Sequence, residues 1–577
     1  MRYFLFMPSN LFNEISSMGM KPLHSEFACQ FLCLSAIVVA VAIVYWPGLY
    51  GFWGRDDYMQ LAMARFVESP WPLFFQDHFV ASSGTVFRPL GFASLWLGEA
   101  LFGTDYRSHA LFTLGLHAGV CLSLFGVLRV FSIPRASALL GTMLFALHPA
   151  VIGTALWWSA RFDLLAVLFG LLAIFFATLY RNASNHLYLA ICLAMFLAAM
   201  LSKEIGLAFL APLSLIWLHL AWRVPHRIKT AILAVILAWL SAVILLIWRW
   251  TVLDTFSGKL GSEVPLVFAV YEGIKTWLVL SVEYLTFWPR LEVLGRAVVI
   301  SGIVLLGLAV AAQFFRKQVR QAGAEIILVG LCGLSLILLP ALLQAPIVRL
   351  NAEPLTADMS AVEAAMQSRL FYLTMAGLGM VIGAVLAFVA QTNDRVRKAA
   401  SFGAIAVMAV AAGVASNHDA REFAQRSQEI SEVAREAVAA VGNLELPETG
   451  CHVVFLDVPR VREWGIYVSM DSIIKALHPR LEHVGHCFFH ADFPTFYYLL
   501  GDPGYLEGKA PLLTLKIGGM PIEPLEVSGV VSAYLQFPDQ ISREQVAHFQ
   551  VLRYQDGAFV ESRVEAGEWR LAPSDAP

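Results

Sequence analysis

The sequence is short of charge. Asp, Glu, Lys and Arg make up 14% of its 577 residues, where soluble domains carry about 25%. Hydrophobic residues reach 58% against about 45 to 50% in such domains. The two departures together call for a lipid solvent and exclude a soluble enzyme. A basic excess is missing as well: 40 Lys and Arg stand against 43 Asp and Glu, a formal net charge of -3. That excludes a nucleic-acid partner, which needs a dense basic surface. Seven cysteines are too few for a disulfide scaffold in so long a chain. Cys29, Cys33, Cys121, Cys192 and Cys332 fall in apolar runs and read as small core residues. Cys451 and Cys487 fall in the more polar last quarter, where a disulfide between them would require an oxidising compartment. No Walker loop, GxSxG, HExxH or GxGxxG of any weight is present. His478, His483, His486 and His490, with Cys487, lack the Cys-x-x-Cys spacing of a zinc site.

Long apolar runs, by contrast, are plentiful. About 20 mostly apolar residues cross a bilayer as a helix, and eleven stretches meet that need: 27–49, 108–130, 136–156, 162–180, 187–202, 205–221, 230–250, 297–315, 325–344, 370–390 and 399–416. A twelfth, 268–288, is interrupted by Glu272, Lys275 and Glu283. Each charge costs about 2.5 to 3.5 kcal/mol at membrane depth, so this stretch reads better as a helix lying in the interface. With eleven spans and an inner N-terminus, residues 1–26 lie inside. Three basic loops then fall on the inner side as the positive-inside rule requires: Arg223, Arg227 and Lys229; Arg316, Lys317 and Arg320; Arg395, Arg397 and Lys398. The apolar run from 27 is too long for a cleavable signal and reads as a retained first span.

The long outer segments are then 50–107, 251–296, 345–369 and everything after 417. The stretch 86–103 has apolar residues at helical spacing and reads as a surface helix. After 417 the composition becomes that of a soluble domain. Residues 420–440 read as a polar, Ala-rich helix, while 452–458, 512–517 and 530–537 read as strands. Asp556-Gly557 between two strand-like runs signals a hairpin. The fold class expected is an α-helical polytopic membrane protein over 27–416, with a C-terminal α/β domain over 417–577 outside the membrane.

Few charges remain to carry chemistry, and they gather at the outer level. Asp56 and Asp57, in GRDDY, sit just beyond the first span. Adjacent carboxylates repel one another, and burial raises a carboxylate's pKa toward that of a useful base. For an arbitrary Asp-Asp pair, a helix cap or a solvated loop charge is the commoner explanation. Arg88, Arg161, Lys203 and Arg369 stand at outer span ends, although cations belong inside. Together they suit an anionic group such as a lipid phosphate. Local pairing is the alternative, Lys203 with Glu204 or Asp163. His148-Pro149 marks a break near the outer end of the third span, and a lone His there reads first as a hydrogen-bonded core residue.

GRDDY, FRPL, LFALHPAVIGTALWWSARFD, LSKEIG and SRLFYL, in that order, resemble the membrane half of the GT-C glycosyltransferases. The likeness is to the TPR-containing O-mannosyltransferases and, more loosely, the protein O-mannosyltransferases. It covers roughly residues 27–390, and the TPR repeats of the first group are missing here. The resemblance implies an inverting, metal-independent enzyme that transfers one hexosyl or pentosyl unit from a polyprenyl-phosphate donor, with no cofactor. The acceptor hydroxyl would lie on the outer or luminal face: a protein Ser or Thr, of secreted or pilus type, or an envelope glycan or lipid. By position, the acidic motif falls on Asp56 and Asp57, the Arg-Pro motif on Arg88 and Pro89, and the His-Pro motif on His148 and Pro149. The Lys-Glu motif falls on Lys203 and Glu204, and the Arg-x-x-Tyr motif on Arg369 and Tyr372. Asp56 is expected to be the base with Asp57 orienting the acceptor or the base, or the reverse. Arg88, Arg161, Lys203 and Arg369 would hold the phosphate, supported by His148, Asp163, Glu204 and Tyr372. The location implied is a bacterial inner membrane with the C-terminal domain in the periplasm. A transporter of lipid-linked sugar is the competing class, and it should show repeated halves with broken helices near the midplane; no internal repeat is visible.

Overall fold

A computed structural model describes residues 21–54, 56–67, 69–75, 87–253, 271, 274–275, 323–351, 360–392, 394–444, 453–456, 458, 470–478, 488–490, 514–517, 533–536, 550–562 and 569–571. Its helices are α1 Lys21–Tyr45, α2 Asp56–Phe66, α3 Pro89–Phe102, α4 Tyr106–Val130, α5 Arg135–Ala146, α6 Ile152–Leu156, α7 Arg161–Ala183 and α8 His186–Ser202. Then come α9 Leu210–Arg223, α10 Ile228–Leu253, α11 Gly323–Asn351, α12 Ala361–Ser368, α13 Tyr372–Ala390 and α14 Arg395–Gly442. The tail adds α15 Met470–Leu477 and strands β1 Val453–Leu456, β2 Phe488–His490, β3 Thr514–Ile517, β4 Ala533–Gln536, β5 Gln550–Gln555, β6 Ala558–Ser562 and β7 Trp569–Leu571.

The chain is a multi-pass helical membrane protein. Among the described residues, eight helices are long and apolar enough to cross a bilayer, or nine if one bent pair counts as a span. Ten of the eleven expected stretches fall on helices, α8 being the short one at 17 residues. The stretch 297–315 lies outside the described residues, as does nearly all of 268–288. The bent pair is the 136–156 stretch, where α5 and Pro149–Leu156 meet at 61°. Pro149 has no N–H to donate and cannot continue α5. Helix starts follow ordinary capping. Asp105 caps α4 and Asn185 caps α8. Asp394 accepts from the Arg397 N–H at the start of α14, and Ser360 with Glu363 forms a capping box on α12.

Burial separates the spans by role. The stretches around α7 and α13 are the most enclosed, whereas α10 turns Ile232, Ile236, Trp239 and Ile247 outward. Such an apolar outer face is stable only against lipid. Close approach also brings α6 onto α12: a Cβ at Gly153 would lie 1.7 Å from the Ala365 carbonyl oxygen, so nothing larger than glycine fits there without moving backbone. The last span and the polar helix expected after it form one unbroken helix, α14, of 48 residues.

In the tail, β2, β1 and β5 pair in parallel and β6 closes the sheet antiparallel to β5. The β5–β6 hairpin turns on Asp556 (φ 50°) and Gly557 (φ 89°), the positive-φ pair that suits the twist of a two-residue hairpin. A second sheet has the order β3-β4-β7. The three strands expected from 452–458, 512–517 and 530–537 correspond to β1, β3 and β4.

Candidate active site

Beyond the first span, a short 3-10 turn at Trp46–Tyr50 leads into an extended stretch and then α2. Asp56 and Asp57 open α2, where the helix dipole favours negative charge. The two carboxylates differ sharply. Asp57 is fully buried and accepts from the Gly54 N–H (3.2 Å), the Ser159 N–H (3.0 Å) and the Ser159 hydroxyl. Burial pushes its pKa up to about 7; the three hydrogen bonds pull it down, and the Asp56 charge adds to the rise. Asp56 is half-exposed and makes no hydrogen bond or ion pair among the described residues.

The segment Trp157–Asp163, ahead of and into α7, links this pair to the cations. Ser159 holds Asp57. One helical turn later, about 6 Å along the axis, Asp163 receives the Lys203 ammonium on both oxygens at 2.7 Å. Both partners are buried. Phe162 lies under Arg88, whose Cζ is 5.7 Å from the ring centroid, and Trp157 lies under Arg369 at 4.2 Å. Arg88 and Arg369 are both close enough to act on the charge of Lys203.

Glu204 ties in a further cation. Its Oε2 accepts from Arg88 Nε (2.9 Å) and lies 2.8 Å from Arg88 NH2, while its Oε1 accepts from Arg249 NH1 (2.8 Å). Arg88, Lys203 and Arg249 thus meet Asp163 and Glu204 in neighbouring ion pairs, with Arg369 close by on Trp157. Guanidinium forks gathered beside an ammonium suit a phosphate. Arg249 is absent from the set read from sequence. It lies near the outer end of an apolar span and belongs to no motif, and the only signal was an isolated Arg late in a span.

Other residues of the set sit elsewhere. Arg161 is grouped with the phosphate ligands by sequence, yet the structure buries it completely against protein acceptors. NH1 donates to the Ser94 carbonyl (3.1 Å), and NH2 to the Thr113 hydroxyl (3.1 Å) and the His109 carbonyl (3.4 Å). Its cation is shared with the rings of Phe112 and Trp158. Arg161 therefore ties α3 and α4 to α7. His148 caps the 3-10 turn at Pro149, Nδ1 accepting from the Ala150 N–H at 3.1 Å. The Tyr372 hydroxyl lies 2.7 Å from His117 Nδ1 inside the bundle. Cys451 and Cys487 lie outside the described residues. Among the described residues one group, His418, Asp419 and Glu422, is spaced to hold a metal ion, on α14.

No protein-family model matches the chain. No curated protein matches it either. Solved structures do resemble it. ArnT from Cupriavidus metallidurans bound to undecaprenyl phosphate is 12% identical, covering 78% of this chain and 85% of that one, with a TM-score of 0.43. The oligosaccharyltransferase of Archaeoglobus fulgidus is 11% identical over 78% of this chain and 64% of its own, with a TM-score of 0.44. The arabinosyltransferase EmbB from Mycobacterium smegmatis is 15% identical over 68% and 41%, with a TM-score of 0.32.

Proposed function

We propose that the chain is a membrane glycosyltransferase that moves one sugar from a polyprenyl-phosphate donor to an acceptor hydroxyl at the outer face. One observation carries this reading: the Trp157–Asp163 segment holds Asp57 through Ser159 and meets three cations, Arg369 at Trp157, Arg88 at Phe162 and Lys203 at Asp163. The cluster is suited to bind the lipid phosphate, and Arg249 belongs to it alongside Arg88, Lys203 and Arg369. Asp56, half-exposed and without a partner among the described residues, is the base. Asp57, fixed by Gly54 and Ser159, orients the start of α2.

Asp56 takes the proton of the acceptor hydroxyl, and the oxygen attacks the anomeric carbon. The bond from that carbon to the phosphate oxygen breaks, and polyprenyl phosphate departs with the electron pair. Positioned cations stabilise the charge that develops on the leaving group. A single displacement inverts the anomeric centre, because no second carboxylate acts as nucleophile. The donor phosphate is already a good leaving group, so the scheme requires no metal or cofactor. The acceptor class that suits an outer tail domain is a secreted or pilus-type protein with Ser or Thr hydroxyls, in a bacterial periplasm. A hexose and a pentose fit this scheme equally.

Comparing glycan masses of envelope proteins and lipids from cells with and without the chain tests the reading. Loss of one sugar mass supports it, and the fraction that changes identifies the acceptor; no change in either fraction refutes it. In the purified chain, Asp56→Asn should end transfer while polyprenyl phosphate still binds. Arg249→Ala should weaken polyprenyl phosphate binding about tenfold, the loss of one charge-assisted hydrogen bond. Retention of configuration in the product, read by NMR, would overturn the single displacement.

A further inference from the structure

The tail grips the acidic helix on both sides of Asp56 and Asp57. Arg65 stands in the last turn of α2. Its NH1 donates to the carbonyl oxygens of Lys475 (3.0 Å), Ala476 (3.0 Å) and His478 (3.1 Å) at the end of α15. The last carbonyls of a helix have no partner within it, and that end carries the negative pole of the helix dipole. A half-buried guanidinium is therefore well matched to it. Glu99 lies 4.0 Å from Arg65 Nε, close enough to keep the side chain directed. Contact between α2 and α15 is extensive, and α15 also packs on α14.

On the other side, α14 holds the stretch that leads into α2. The Ser427 hydroxyl accepts from the Phe52 N–H (3.0 Å), and Gln428 Nε2 donates to the carbonyls of Tyr50 and Gly51, both at 3.0 Å. Arg435 lies over the Phe52 ring, 4.9 Å from its centroid. Ser427, Gln428 and Arg435 thus fix the chain at 50–52, and residues 475–478 hold it again at 65, with the acidic pair between these two anchors.

We propose that Arg65 is a positioning residue through which the C-terminal tail sets the place of the acidic pair. The inference rests on the transferase reading for its effect on turnover, and on geometry alone for the coupling of tail to α2. In this arrangement the tail is a working part of the active centre. Loosening α15 from α2 lets the helix pivot, and Asp56 moves from the acceptor hydroxyl although it is left chemically intact. The donor phosphate, held by Arg88 just before α3, Lys203 just after α8, Arg249 of α10 and Arg369 in the turn before α13, is untouched.

The test uses the full chain in lipid nanodiscs with Arg65→Ala and Arg65→Lys. Hydrogen exchange over 56–66, titration with polyprenyl phosphate, and turnover with polyprenyl-phosphate mannose, glucose or arabinose are compared with the parent chain. Arg65→Ala should raise exchange across α2 about tenfold and lower kcat about tenfold, with polyprenyl phosphate affinity and donor KM within twofold of the parent. Arg65→Lys, which keeps a donor at the α15 carbonyls, should recover much of both losses. Parental exchange in α2 overturns the coupling whatever the turnover. Faster exchange with parental kcat overturns the positioning role, leaving Arg65 as an anchor of the tail. Loss of polyprenyl phosphate binding together with kcat overturns it also, since the damage would then extend beyond α2. If the parent chain transfers none of the three sugars while exchange in Arg65→Ala still rises, it is the transferase reading that fails and the coupling of tail to α2 stands; if Asp56→Asn transfers sugar at the parental rate, the assignment of Asp56 as base fails and with it the positioning role.

Discussion

The Lys203–Asp163 pair allows fold and phosphate binding to be taken apart. Both side chains are buried, and the ammonium lies 2.7 Å from each carboxylate oxygen. Lys203→Met leaves Asp163 charged and without its counter-ion; breaking a buried pair from one side costs about 3 to 5 kcal/mol. Lys203→Met combined with Asp163→Leu removes the stranded charge, and exchanging a whole buried pair for apolar residues is often neutral or stabilising. Phosphate binding follows a different course, because both variants lack the ammonium. Loss of a hydrogen bond to a charged group is worth about 1.5 to 3 kcal/mol, so polyprenyl phosphate affinity should fall about ten- to a hundredfold in each. The single variant is thus expected to be heat-labile and weak-binding, and the double variant heat-stable and weak-binding. Heat denaturation in detergent, followed by size-exclusion chromatography, reads the first property, and titration with labelled polyprenyl phosphate reads the second. A double variant that binds like the parent would refute the place of Lys203 in the phosphate site. A double variant as labile as the single one would refute the assignment of the instability to the stranded carboxylate.

Two further outcomes follow from the same geometry. Asp57 has its pKa raised from 3.8 to about 7. Between those values the folded chain holds a proton that the unfolded chain has lost, so the contribution of Asp57 to stability falls as pH rises, by on the order of 4 kcal/mol across the window. Thermal midpoints at pH 5 and pH 8 should differ less in Asp57→Asn than in the parent, and an unchanged difference counts against a buried carboxyl. Gly153→Ala should destabilise by about 1 to 3 kcal/mol, because the added carbon meets the Ala365 carbonyl. It should also lower polyprenyl phosphate affinity, since α12 leads directly into Arg369; parental heat stability would refute the close contact.

The spans were legible because membrane depth enforces long apolar runs, and the hairpin because Asp556-Gly557 accepts positive φ. Asp56, Asp57, Lys203 and Glu204 were legible as charges in places where charge is costly. What each charge meets was not. Arg161 and Arg88 look alike in sequence, yet one is enclosed by the carbonyls of Ser94 and His109 and the other faces Glu204. Arg249 became visible only through the Glu204 carboxylate, 45 residues away. The tie from Arg65 to Ala476 spans 411 residues, and no local pattern encodes a contact of that range. Tyr372 and His148 stand in motif positions, but no motif names His117 beside the one or the Ala150 N–H beside the other.

At about 1.5 Å per residue, the 48 residues of α14 make a rod of roughly 72 Å, more than twice the ~30 Å of a bilayer's hydrocarbon. Such a rod transmits rotation. One alanine inserted after Ser416 would turn everything beyond it by about 100°, carrying Ser427 away from Phe52 while leaving composition and hydropathy nearly unchanged. Seven inserted residues, close to two full turns, would restore the facing but shift it about 10 Å outward. Homologous chains built on this plan should therefore tolerate substitutions along the exposed face of this helix and resist changes in its length.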